Sequence, residues 1–307
     1  MIIPVRGVLF PAGSGGVPTT SNAQRLPALD SYEHTIVNEG GFESAQLQFR
    51  VPTRAAADAY LSLLMAGVLM TGPRGSTVWE GFVQEVTIEG GGETISRSLV
   101  DLANRVVVRY KDDNGQQAST AAVTDAASIA RYGTKTRLIN LSTASASAAA
   151  NRAAVVLGKR KGPTRKRAEK SGTGGAGAGY AVTLVCRGWW DTLGWLLMSS
   201  TSTTLTQTSS QVLALLTAYV ATNNFFSLST VNITATGVSD VETIEADSTY
   251  LEAITTKLAS GNSAQQPVMY GVYENRVLSI RPWAGATPTT IRYQKRTGER
   301  TVRDSAG

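Results

Sequence analysis

The chain has 307 residues, 42% of them hydrophobic and 17% charged, with a formal net charge of +6; it is long enough for about two domains and apolar enough to bury a core, which excludes wholesale disorder. A single cysteine, Cys186, and a single histidine, His34, exclude a disulfide framework, a CxxC redox pair and a zinc site built from several Cys and His. The opening MIIPVRGVLFPAG is broken at Pro4, Arg6 and Pro11, and the longest apolar stretch, residues 61–70, falls well short of the ~20 residues of a membrane span, so a soluble chain without a secretory signal is expected.

The first clear strand is residues 43–51, where Ala45, Leu47, Phe49 and Val51 alternate with Ser44, Gln46, Gln48 and Arg50. Pro52 stops pairing, Thr53 offers an N-cap, and TRAAADAYLSLLMAG reads as a helix closed by Gly67. Three strand-like runs follow, STVWEGFVQEVTIEG, ETISRSLV and NRVVVRY, the last placing Val106, Val108 and Tyr110 opposite Arg105 and Arg109. After the KDDNG turn the chain becomes helical, first in TDAASIARYG, capped at Thr124 or Asp125 and stopped at Gly133. An Ala-rich helix then ends at Gly158.

Residues 159–179 form a basic run broken by Gly162-Pro163 and then SGTGGAGAG, which in isolation reads as a flexible tether and in an assembly as a loop held by its neighbours. The second half reopens with the strand YAVTLVCRG and an aromatic helix start, WWDTLGWLLM. One helix carries Val212, Leu215, Leu216 and Tyr219 on one face, and after a β-type run at 231–238 another carries Leu251, Ile254 and Leu258 and stops at Gly261. The strands PVMYGVY and RVLSIRPW join through Glu274-Asn275, and TTIRYQKR closes the sheet. The fold class is therefore β-rich α+β, with units at 1–158 and 180–307 and a basic Gly-rich linker at 159–179.

The net charge has one address. Residues 159–170 hold seven cations, Lys159, Arg160, Lys161, Arg165, Lys166, Arg167 and Lys170, against Glu169 alone, leaving 22 basic and 22 acidic residues elsewhere. Such a run on a neutral body points to sequence-independent phosphate attraction or docking on an acidic partner. With no aromatics inside it, it has no single-strand stacking platform.

No other motif carries chemistry. Gly172–Gly177 fits GxGxxG, but a helix precedes it and a strand follows, the inverse of a dinucleotide site. His34 reads as a strand-edge or core residue and Cys186 as a small buried hydrophobe. Asp112-Asp113 belongs to a turn, Glu242, Glu245 and Asp247 precede a helix, and Trp189, Trp190 and Trp195 read as core or interface. No catalytic set, metal site or cofactor is expected.

In order, GGFESAQLQF, VWEGFVQEV, DLANRVVVRY, ASIARYG, LVCRGWWDTL and GVYENRVLSIRPW resemble the baseplate hub family at the tip of tailed-phage tails. The resemblance spans roughly residues 40–293. It implies two tail-tube-like antiparallel β-barrel or sandwich domains with helical insertions, and no enzymatic activity. It further implies a homotrimer that adapts a sixfold tail tube to a threefold tip. The partners implied are the distal tail protein or tube ring, the tape measure protein, other tip or fibre proteins, and DNA passing through the lumen. The setting implied is the virion tail tip, assembled in the host cytoplasm. The chain ends at GERTVRDSAG without the appended domain of larger relatives, so a bare hub is expected. The basic insert, which departs from the family pattern, is expected to line the lumen or bridge to a neighbouring ring. The alternatives are a hexameric distal tail ring, a polyanion-binding module using residues 159–170, and, last, a cell-wall hydrolase, which has only His34 to draw on.

Overall fold

The computed structural model describes residues 5–112, 114–142, 144–169, 179–198, 208–229, 232–239, 243–282, 290–296 and 299–304, with side chains through residue 281. The chain begins with strands β1 (Arg6–Phe10), β2 (Gln24–Arg25), β3 (Leu29–Val37) and β4 (Glu39–Val51), then helix α1 (Arg54–Tyr60). Strands β5 (Gly67–Thr71), β6 (Thr77–Gly90) and β7 (Glu93–Ser98) lead into an insert. The insert comprises β8 (Arg105–Lys111), β9 (Gln117–Ser119), β10 (Val123–Thr124), α2 (Ala126–Tyr132), β11 (Thr136–Asn140) and α3 (Ala146–Arg160). The chain returns through β12 (Thr164–Glu169) and β13 (Tyr180–Arg187), a 3-10 turn (Trp189–Trp195), α4 (Thr208–Thr222) and α5 (Tyr250–Leu258). It finishes with β14 (Val268–Tyr273), β15 (Val277–Pro282), β16 (Thr290–Arg296) and β17 (Glu299–Asp304).

The molecule is a β-rich α+β protein with a thirteen-stranded sheet and a four-stranded sheet. Strands from both sides of residue 179 share the large sheet, and no closed barrel forms among the described residues. The cause lies in β13, whose Val182, Leu184 and Cys186 are fully buried. It pairs antiparallel with β4 on one side and β6 on the other, so both of its backbone edges are satisfied by strands from the first half. Gly188, which ends this strand, is obligatory: a Cβ there would sit 1.5 Å from the Phe42 carbonyl oxygen.

One apolar cluster spans both halves and takes in Phe49 and Tyr60 beside α1, Phe82, and the 3-10 turn residues Trp189 and Trp195. The tryptophans are core: Phe82 packs against Trp189 and Trp195, and Phe225 against the same two rings. Helix α1 is capped by Thr53, which accepts from the Ala56 N–H, but it ends at Tyr60 rather than at Gly67. Met65 adopts φ +68°, its N–H donates to the Val83 carbonyl, and Val83 N–H donates back to Ala66. Backbone pairing with β6 and full burial of Met65 and Ala66 thus replace the last helical turns. The run at 231–238 forms an isolated bridge, Ile233 to Ile280, rather than a strand among its described residues.

The insert has its own core, Val106, Val108 and Tyr110 of β8 under Ala149, Ala153 and Leu157 of α3. Asp125 caps α2 and Gly133 ends it, as the sequence indicates, whereas α3 is capped by Ser145 and runs past Gly158 to Arg160. Strand β11, parallel to β8, has no counterpart in the sequence reading. Polar contacts tie the insert to the body. Thr134 N–H donates to Asn223 Oδ1 at 2.9 Å, and Asn223 Nδ2 donates to the Thr134 carbonyl at 2.9 Å. Lys135 Nζ donates to the Leu99 and Val100 carbonyls at 2.8 and 3.1 Å and lies 5.0 Å over the Trp195 ring.

Candidate functional site

The register of the large sheet sorts its side chains into rows. One row crosses six strands as Ser31, Gln48, Thr183, Thr87, Ser96 and Lys166, each directly opposite the next. The parallel rows are Glu33, Gln46, Val185, Glu85, Ser98 and Thr164, and Arg50, Ala181, Glu89, Thr94 and Ala168. All of these residues are half-buried or exposed. Directly opposed residues share a face, so these rows make one broad polar surface. The intervening rows are apolar. Tyr32, Leu47, Leu184 and Val86 are buried in one, and Phe49, Val182, Ile88 and Ile95 in the next.

The strip that carries both faces runs β17-β16-β3-β4-β13-β6-β7-β12, and every neighbouring pair in it is antiparallel. Among the described strands β12 pairs only with β7, and β17 only with β16. Each end of the strip therefore presents a free backbone edge.

The basic segment is not a tether over its described part. Lys159 and Arg160 close α3, Lys161 is its C-cap, and Arg165, Lys166 and Arg167 lie on β12; Lys170 and the GxGxxG stretch lie outside the described residues. The period of a strand splits the cations. Lys166 ends the polar row, whereas Arg165 and Arg167 end the apolar rows, opposite Arg97 and Ile95. Carboxylates distant in sequence meet three of them: Arg160 reaches Asp101 at 2.7 Å, Lys161 reaches Asp125 at 3.1 Å, and Arg167 reaches Glu93 at 2.9 Å. Arg54 also pairs with Glu93. The hydrogen bond from Arg160 holds the Asp101 carboxyl below its ordinary range; at Asp125 the Ser128 N–H does so first and Lys161 second. Lys159, Arg165 and Lys166 remain exposed with no ion pair among the described residues.

The other titratable candidates do not converge. His34 is 1% exposed, stacked on Tyr32, and burial lowers its pKa to about 4. Cys186 is buried in β13, which pushes its thiol well up. Asp112 accepts from Asn114 N–H and Gln116 N–H in a turn, and Asp247 pairs with Arg109 at 2.5 Å. Among the described residues no group of three His, Cys, Asp or Glu side chains is placed to hold a metal ion, and no helix is long and apolar enough to cross a membrane. The polar row itself was missed in the sequence. Alternation marks Gln46 and Gln48, but nothing local shows which strands lie beside them. No family model matches the sequence, and no curated protein matches it.

Proposed function

We propose that the chain is a structural virion protein, a homotrimeric hub at the distal tip of a phage tail, lining the channel through which the tape measure protein and then DNA pass. The observation that carries this reading is the eight-strand strip, apolar on one face and polar on the other across β3, β4, β13, β6 and β7, with a free edge at each end. Seven antiparallel steps leave β12 and β17 antiparallel to each other, so identical copies arranged in a ring can join β12 of one to β17 of the next. The barrel that one chain leaves open then closes between copies.

Three copies give 24 strands; at ~4.8 Å per strand the backbone diameter is about 37 Å before strand tilt widens it, and side chains reduce the bore to about 27 Å. Two four-strand units per copy, β17-β16-β3-β4 and β13-β6-β7-β12, would then be the tube-like halves, interleaved in sequence, and six of them would match a sixfold tube. Across β3, β4, β13, β6, β7 and β12 the lining would be Ser, Thr and Gln with few charges, Glu33, Glu85 and Glu89 against Arg50 and Lys166, and the row of Glu33 continues through Arg292 and Arg303 on β16 and β17. Such a surface neither grips nor strongly repels a passing polymer. Of the cations first assigned to the lumen, Lys166 is the one on this face in the described strand.

The resemblance in the sequence supports the same reading. The polyanion-binding alternative is weakened because three of its cations are spent on Asp101, Asp125 and Glu93. The test is the copy number in the intact assembly, by native mass or reconstruction without imposed symmetry. Three copies with β12 beside β17 of a neighbour are expected. Six would favour a distal tail ring, and a monomer in the assembled particle would overturn both.

A further inference from the structure

A chamber of about 240 Å³ opens where the start of β4 meets the 3-10 turn, α5 and β14. Its apolar wall is Val37, Phe42, Trp190 and Leu251. It shares Glu39, Thr255 and Tyr270 with a larger groove of about 650 Å³ along the end of α5 and the turn before β14. The Tyr270 hydroxyl meets Glu39 and Thr255, and burial, with the Glu39 charge next, pushes its pKa well up. It stays a neutral hydroxyl that fixes the Glu39 carboxylate at the junction of the two cavities.

Three carboxylates line the chamber, Glu39, Glu43 and Asp191, and none makes an ion pair within 4.0 Å among the described residues. Arg187 is the one cation in the lining, and its charge acts on the half-buried Asp191. Exposed Glu39 and Glu43 are left in excess. Both line the chamber, on either side of Gly40, Gly41 and Phe42, where positive φ at the two glycines and a register shift at Glu43 break the regular strand.

We infer that this cleft is a docking site for an extended peptide segment of a partner protein, with two basic side chains flanking an apolar one. The partner's cations then face Glu39 and Glu43, and the apolar residue faces Val37 and Leu251. A sugar fits less well, because Trp190 is 7% exposed and packs against Tyr270 at 5.4 Å, leaving little open ring for stacking. The inference does not depend on ring formation.

The probe is fluorescein-labelled Arg-Ser-Leu-Ser-Arg, titrated against the full chain by anisotropy, with Glu-Ser-Leu-Ser-Glu as its counterpart. The arginine peptide binds, its affinity falls about tenfold in E39Q/E43Q, and it falls again at about 0.5 M salt. T255R, which places a cation in the shared wall, competes in the same way. Because Glu39 and Thr255 both meet the buried Tyr270 hydroxyl, urea curves of both variants are recorded, and the single variant E43Q, at an exposed residue, keeps the wild-type curve and still weakens binding. No binding up to about 2 mM peptide, equal binding of the acidic peptide, or unchanged affinity in E39Q/E43Q each overturns the inference.

Discussion

Asn223→Ala tests whether the insert is held to the body by one side chain. Asn223 is 3% exposed and forms a two-way clasp with the backbone of Thr134, itself 7% exposed. Alanine removes both hydrogen bonds and leaves the Thr134 N–H and carbonyl buried without partners. Each orphaned group costs about 1–3 kcal/mol, so the expected loss is about 2–6 kcal/mol. Thr134→Ala is the control, because the clasp uses its backbone and the change leaves both bonds in place. Urea unfolding measures the difference, and hydrogen exchange localises it: α2 and β11, which flank Thr134, lose protection ahead of β4 and β13. Should Asn223→Ala lie within about 0.5 kcal/mol of wild type, or match Thr134→Ala, the clasp is not what docks the insert.

Two titrations follow from burial. His34 is the only imidazole in the sequence, so its ring proton resonance is unambiguous and titrates near pH 4. Its folded pKa lies below the unfolded value of 6.5, so the unfolded chain binds the proton first and stability declines as pH falls from 6.5 towards 4; His34→Phe flattens that slope between pH 5 and 6.5. Burial lowers Lys135 to about 8 from 10.5, so stability rises as pH increases from 8 to 10.5, where the unfolded chain still holds a proton that the folded chain has released. Urea titrations across that window show the rise in wild type and lose it in Lys135→Met; an equal rise in both refutes the assignment.

Local signals in the sequence were sufficient wherever one element decides its own fate. Alternation over residues 43–51 is the burial pattern of β4, and Thr53, Asp125 and Gly133 punctuate helices as they should. They failed where a neighbour decides. Helix α1 stops early because Met65 and Ala66 bond to Val83, eighteen and seventeen residues ahead in the chain. Strand β12 was invisible because TRKRAE has no apolar face at all: as an edge strand it is held by backbone pairing to β7 and leaves both sides in water.

The same blindness shaped the reading of the site. Seven cations in one run look like a single electrostatic unit when only the sequence is visible, and the sum was what suggested a polyanion surface. The strand period sends Lys166 to the polar face and Arg165 and Arg167 to the other, while carboxylates 36–74 residues upstream pair with Arg160, Lys161 and Arg167, Glu93 being shared with Arg54. Exposed ion pairs of this kind contribute little stability individually, about 0–1 kcal/mol. Their effect here is on the field, which they cut to the three unmatched cations of the described segment. In the proposed ring Lys166 would be the cation of the described strand facing the bore, and a polar row with few cations lets a polyanion slide where a strongly positive one would hold it.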